Sequence, residues 1–221
     1  MTLINLIRQS SAVHMLADGL SFSPSGKIRR GTKLCALPHL PAMLGVRGPL
    51  LASPLLAEIL GSAAGTYDEL KSNVAIIVRA HMPQIVRMLE GNADPRAFEI
   101  IVGGISQSTG PDNFTMRTNG ASAWIIQDPG ELMISPLTDA IGAAIMSAFS
   151  GRGSNDALDP VTDGVRMIEI QRENWSFGDA TLPGGFIQLM SVGRDGLITT
   201  SIAHRWDDAE TPPATELGAV A

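Results

Sequence analysis

The chain opens MTLINLIRQSSAVHMLADGL (residues 1–20). Leu3 to Ile7 and Val13 to Leu16 are short apolar runs, parted by the polar cluster Arg8, Gln9, Ser10 and Ser11. That pattern reads as two strands folding back on each other, without a turn-specific dipeptide. A turn centred on Ser10 sets Thr2 opposite Asp18. Loss of Met1 would then gather a hydroxyl, a free amine and a carboxylate at one end of a sheet.

The next segments repeat the theme. SFSPSGKIRRG (21–31) supplies a turn and a short strand, and TKLCALPHLPAMLGV (32–46) reads as a second hairpin around Pro38, His39, Leu40 and Pro41. A centre near His39 places Lys33 opposite Gly45.

Helical spacing begins near Pro49. LLASPLLAEILG (50–61) is a first helix that Pro54 kinks or delays. A second starts at a capping box of Thr66 and Glu69, and runs along Leu70, Val74, Ile77, His81, Ile85 and Met88 to Gly91. His81 has no companion at metal-ligand spacing and reads as a core or boundary histidine. FEIIVGGI (98–105), NFTMRT (113–118), SAWIIQD (122–128) and ELMIS (131–135) form a meander of strands, and the glycines of GGISQSTG (103–110) mark a backbone turn. LTDAIGAAIMSAF (137–149) and VTDGVRMIEIQRENW (161–175) return to helical spacing around a polar surface loop, SGRGSNDALDP (150–160). GGFIQLMSV and GLITTSIAHRW close the chain as a hairpin. This order excludes alternating βαβ units and fits an α+β fold with two sheets between helix pairs. One domain is expected over residues 1–206, with 207–221 as a tail.

Composition narrows the function classes. A formal net charge of −6 argues against nucleic acid, because phosphate neutralisation needs clustered cations and the one local basic group is Lys27, Arg29, Arg30 and Lys33. The single cysteine, Cys35, cannot form an intrachain disulfide and reads as a small core residue. No apolar run approaches the roughly 18 residues of a membrane span, and the N-terminus lacks a signal-peptide pattern. A cytoplasmic protein with no membrane or nucleic-acid partner is expected. There is no His-Glu-x-x-His, Walker loop, Gly-x-Ser-x-Gly elbow, EF-hand loop or paired-cysteine motif, so neither cofactor nor metal is expected.

What remains is the N-terminal group. A threonine hydroxyl needs a base to become a nucleophile, and a threonine at the chain start carries one in its own α-amine, with a pKa near 8. A neighbouring lysine favours the alkoxide and depresses the amine's pKa. An aspartate orients that lysine, and a glycine N–H can meet the oxyanion. Lys33, Asp18 and Gly45 are the candidates.

With Thr2 after the initiator Met, ADGL carrying Asp18, TKLCALP carrying Lys33 and MLGVRG carrying Gly45, the chain resembles the peptidase subunits of the proteasome and its simpler bacterial relatives, within the N-terminal-nucleophile hydrolases. The element order resembles theirs over nearly the whole chain. The resemblance implies a four-layer αββα sandwich with two mainly antiparallel sheets. It implies Thr2 as nucleophile and base, Asp18 and Lys33 as its supports, Gly45 as oxyanion donor, and Met43 and Arg47 flanking a substrate pocket. Ser135 and Asp179 fall in the two stretches where that family places supporting hydroxyls and acids, although Ser135-Pro136-Leu137 and Asp179-Ala180-Thr181-Leu182-Pro183-Gly184 depart from its usual motifs. Leu20 stands where a basic residue commonly follows. The resemblance further implies a peptide or unfolded-protein substrate, homo-oligomeric rings or spirals, and room for an unfoldase partner. A catalytically silent subunit serving assembly is the competing expectation.

Overall fold

In the computed structural model, which describes residues 3–22, 28–49, 51–90, 94–177, 180–181 and 184–207, the first hairpin is formed by β1 (Ile4–Arg8) and β2 (Ala12–Asp18). Its register pairs Ile4 with Ala17 and Arg8 with Val13. Asp18 therefore faces Leu3, one residue from the expected partner. Beyond β3 (Leu20–Phe22) and β4 (Ile28–Arg30), the second hairpin joins β5 (Leu34–Leu37) and β6 (Ala42–Arg47), with Leu34 rather than Lys33 opposite Gly45. Both one-residue shifts have the same cause. Each loop holds an even number of residues between its last paired positions, so the turn centre falls between two residues and not on Ser10 or His39.

Helices α1 (Ala52–Ala63) and α2 (Tyr67–Met88) follow. Pro54 sits in the first turn of α1, where its missing N–H costs no helical bond. Thr66 caps α2 by accepting from the Glu69 amide, while the Glu69 carboxylate accepts from Gly65 N–H, one residue earlier than a standard capping box. The buried face of α2 runs through Tyr67, Leu70, Val74, Val78 and Ile85 to Leu89. Met88, expected on it, is exposed, and half-buried His81 bonds the Ile77 carbonyl.

The strands β7 (Glu99–Ser106), β8 (Gly110–Arg117) and β9 (Ile126–Gln127) complete a five-stranded antiparallel sheet, ordered β5-β6-β7-β8-β9. The expected meander ends there. Strand β10 (Leu132–Met133) leaves it and pairs with β1 in the other sheet. Helix α3 (Asp139–Phe149), a 3-10 turn (Asn155–Ala157), α4 (Thr162–Asn174) and the short pair β11 (Ser176–Phe177) and β12 (Ala180–Thr181) lead to β13 (Phe186–Gly193) and β14 (Ile198–Arg205). These last two strands fill the second antiparallel sheet, ordered β10-β1-β2-β13-β14. The expected surface loop before α4 is tied down, with the Asp163 carboxylate accepting from Arg152 and from the Asp159 amide.

Strand alternation divides the apolar side chains among layers. Leu44, Val46, Ile100, Val102, Phe114 and Met116 pack against α1 and α2. On the opposite face, Met43 and Ile101 meet Ile4, Leu6, Val13, Met15 and Met190 of the other sheet. That sheet's outer face lays Leu3, Ile7, Leu16 and Leu189 on Met167 and Ile168 of α4. No helix among the described residues is long and apolar enough to cross a membrane. Cys35, expected in the core, is only half-buried, and burial pushes its thiol pKa up.

Candidate active site

At the end of the sheets where β1 begins and β2 ends, the Lys33 ammonium donates to Asp18 Oδ1 at 2.6 Å and to the Leu20 carbonyl at 2.5 Å. Both side chains of the pair are 2% exposed. A charge this far from water is held only when its partners replace hydration. Asp18 Oδ1 also accepts from the Leu3 amide at 3.0 Å, so one oxygen joins the start of β1 to the lysine. Burial pushes the Lys33 pKa below its ordinary value, and the neighbouring Asp18 opposes that shift without cancelling it.

Lys33 is fixed from the backbone side as well. Gln188 on β13 accepts from the amides of Lys33 and Leu34 through Oε1, each at 3.0 Å, and donates through Nε2 to the Leu34 carbonyl at 3.2 Å. This buried side chain ties β13 of one sheet to the first residues of β5 in the other. It was not singled out in the sequence, although a lone glutamine inside GGFIQLMSV is the signal that could have found it. Register supports the same cluster, since Ile187 pairs with Asp18.

Ser135 reaches this end through its backbone. Its carbonyl accepts from the Ile4 amide at 3.0 Å, and its amide donates to Asn5 Oδ1 at 3.1 Å. Asn5 Nδ2 in turn donates to Gln171 Oε1 at 2.6 Å, and Gln171 donates to the Pro136 carbonyl at 2.9 Å. Asn5 and Gln171 are fully buried and were likewise missed, again as polar residues within apolar periodicity.

Of the expected site residues, Asp18 and Lys33 meet directly, and Ser135 lies against the first strand. Gly45 sits inside β6 with Leu34 on one side and Ile101 on the other. A Cβ there would meet Ile4 Cδ1 at 2.9 Å and Leu34 Cδ2 and Met15 Sδ at 3.0 Å, so its bare α-carbon lets the two sheets close. Met43 is fully buried between the sheets. Arg47 ends β6, and its guanidinium donates to Glu99 Oε2 at 2.8 Å. Thr2 and Asp179 lie outside the described residues. Chemically, the cluster offers a buried cation held by a carboxylate beside the first strand's N-terminal end. The chain matches no protein-family model and no curated protein sequence.

Proposed function

We propose that this chain is a threonine-type amide or peptide hydrolase of the N-terminal-nucleophile kind, an αββα protein whose nucleophile is Thr2 after removal of Met1. The observation that carries the reading is the buried Lys33–Asp18 pair sharing an oxygen with the Leu3 amide. Leu3 directly follows Thr2 in the chain, so the Asp18 oxygen that holds Lys33 also accepts from the amide next after the threonine.

In this reading the Thr2 hydroxyl attacks the substrate carbonyl while its own amine takes the proton. The C–N bond then breaks as the amine returns that proton to the leaving group, and water hydrolyses the threonyl ester with the amine again as base. Lys33 lowers the cost of negative charge on the attacking oxygen and keeps the amine unprotonated, while Asp18 holds Lys33 in place. Gly45, paired on both sides, is given a packing role. A peptide substrate and self-assembly into a ring or spiral belong to the same proposal.

The test begins with intact mass, which should lack Met1. Short fluorogenic peptides should then be cleaved by the wild type and not by Thr2→Ala, with Thr2→Ser retaining measurable activity. Full retention of Met1, or equal rates for wild type and Thr2→Ala, would overturn the reading and leave an assembly role.

A further inference from the structure

Strand β14 is the outermost strand of its sheet, and among the described residues it pairs with β13 alone. Its outer edge carries main-chain donors and acceptors with no ladder partner there. Four consecutive residues, Thr199, Thr200, Ser201 and Ile202, are exposed. Because side chains alternate between faces, such a run leaves the middle of the strand uncovered above and below as well as along its edge. The other end of the same sheet is closed by β10, which has only two residues to leave unpaired.

The hairpin fixes which groups face outward. Gly193 N–H donates to the Leu197 carbonyl at 3.1 Å, so these two residues form a hydrogen-bonded pair. Antiparallel pairs alternate, which makes Ile198 opposite Val192, Thr200 opposite Met190 and Ile202 opposite Gln188 non-bonded pairs. Their amides and carbonyls therefore point away from β13. Between Leu197 and Ile202 there is no proline and no charged side chain, and the register shift falls beyond Ile202, so the usual protections of a sheet edge are missing from this stretch. Charge sits only at its two ends. At the turn, Arg194 is drawn back onto the Ser10 carbonyl at 2.8 Å, while Asp195 is exposed. At the far end, the Arg205 guanidinium lies over the Phe186 ring, and among the described residues neither Asp195 nor Arg205 forms an ion pair.

We infer that β14 pairs edge to edge with β14 of a second copy of this chain, antiparallel, about a two-fold axis at Thr200. An outward-facing residue on such an axis bonds its own counterpart reciprocally, N–H to C=O in both directions, so the strand is complementary to itself. The same register sets Ile198 against Ile202 of the second copy, two β-branched side chains on a shared face. It also brings the Asp195 end of each copy to the Arg205 end of the other. Parallel pairing would set each of those charges beside its own kind. A two-fold contact is complete at two copies, so it is distinct from the head-to-tail contact that a ring or spiral repeats, and it does not depend on the chain being a hydrolase.

Cross-linking of the full-length protein tests the register directly. In a Cys35→Ala background, Thr200→Cys should give a covalent dimer under mild oxidation, because a hydrogen-bonded pair has Cα atoms about 5.5 Å apart, within the disulfide range of about 4.4–6.8 Å. Thr199→Cys is the control. It is equally exposed, but its counterpart lies on the diagonal at about 7–8 Å, so it should cross-link at least about tenfold more slowly. Thr200→Pro removes the outward N–H on the axis and no bond to β13, and should weaken self-association in sedimentation about tenfold. Asp195→Lys and Arg205→Glu should each weaken it too, and an equimolar mixture of the two should restore it, since the mixed pair has opposite charges at both ends. Thermal melts report whether each variant folds. Hydrogen exchange at the Thr200 amide should quicken on dilution. A monomer at every concentration, equal cross-linking at positions 199 and 200, or no recovery in the mixture would overturn the pairing. Protection of Thr200 that dilution leaves unchanged would overturn it as well, by giving the edge to another part of the same chain.

Discussion

Lys33 Nζ lies 2.6 Å from Asp18 Oδ1, and neither side chain is more than 2% exposed. Removing one partner strands the other charge away from water. Asp18→Asn or Lys33→Met alone should cost about 3–5 kcal/mol in chemical denaturation, and the double variant should recover much of that loss. Additive single effects would show that the two charges do not act as a unit.

The lowered Lys33 pKa sets a direction for pH dependence. Folded Lys33 binds its proton less readily than unfolded Lys33, so its contribution to stability rises with pH from the folded value up to about 10.4. The stability of wild type relative to Lys33→Met should grow over that window. Asp18 opposes the shift, so Asp18→Asn should lower the Lys33 pKa further, as read by nitrogen NMR of the ammonium.

His14 is a second group with a readable sign. Gln9 Nε2 donates to the carbonyls of Asn155 and Leu158, each at 2.8 Å, so Gln9 Oε1 is left to accept from His14 Nε2 at 3.0 Å. The neutral ring then carries its proton on Nε2, and Nδ1 accepts from the Ser191 hydroxyl at 2.8 Å. Ring nitrogen shifts should report that tautomer at pH 7. Burial lowers the His14 pKa, with Asp159 opposing, so stability relative to His14→Gln should fall as pH drops from 6.5 through the lower folded value.

Two glycines between packed layers should respond unequally to alanine. At Gly45 the new methyl would meet the ends of flexible side chains at 2.9 to 3.0 Å, which can yield. At Gly104 it would meet the Tyr67 ring at 2.5 and 2.6 Å, and that ring is pinned in the core under α2. Gly45→Ala should cost about 1–3 kcal/mol and Gly104→Ala more, measured by urea unfolding.

The order and type of the longer elements were legible because local chemistry dictates them. Thr66 and Glu69 start α2 by capping, and the β-branched apolar run in FEIIVGGI makes a strand whichever sheet receives it. Registers were readable only to within one residue, since composition marks a turn without saying whether its centre falls on a residue or between two. The short strand β10 was placed in the wrong sheet because two apolar residues carry no record of their partner. In the site, Asp18 and Lys33 were visible as charges ending apolar runs. Gln188, Asn5 and Gln171 were not, because a buried amide's worth depends on groups more than 150 residues away, as with Gln188 and Lys33 or Asn5 and Gln171.

That separation makes the cluster a late arrival in synthesis. Gln188 leaves the ribosome 155 residues after Lys33, together with the strand that pairs with Asp18, so until then the lysine lacks the amide that seats its backbone and β2 lacks its second neighbour. A nascent chain cut short before β13 has both charges of the pair but no finished enclosure around them.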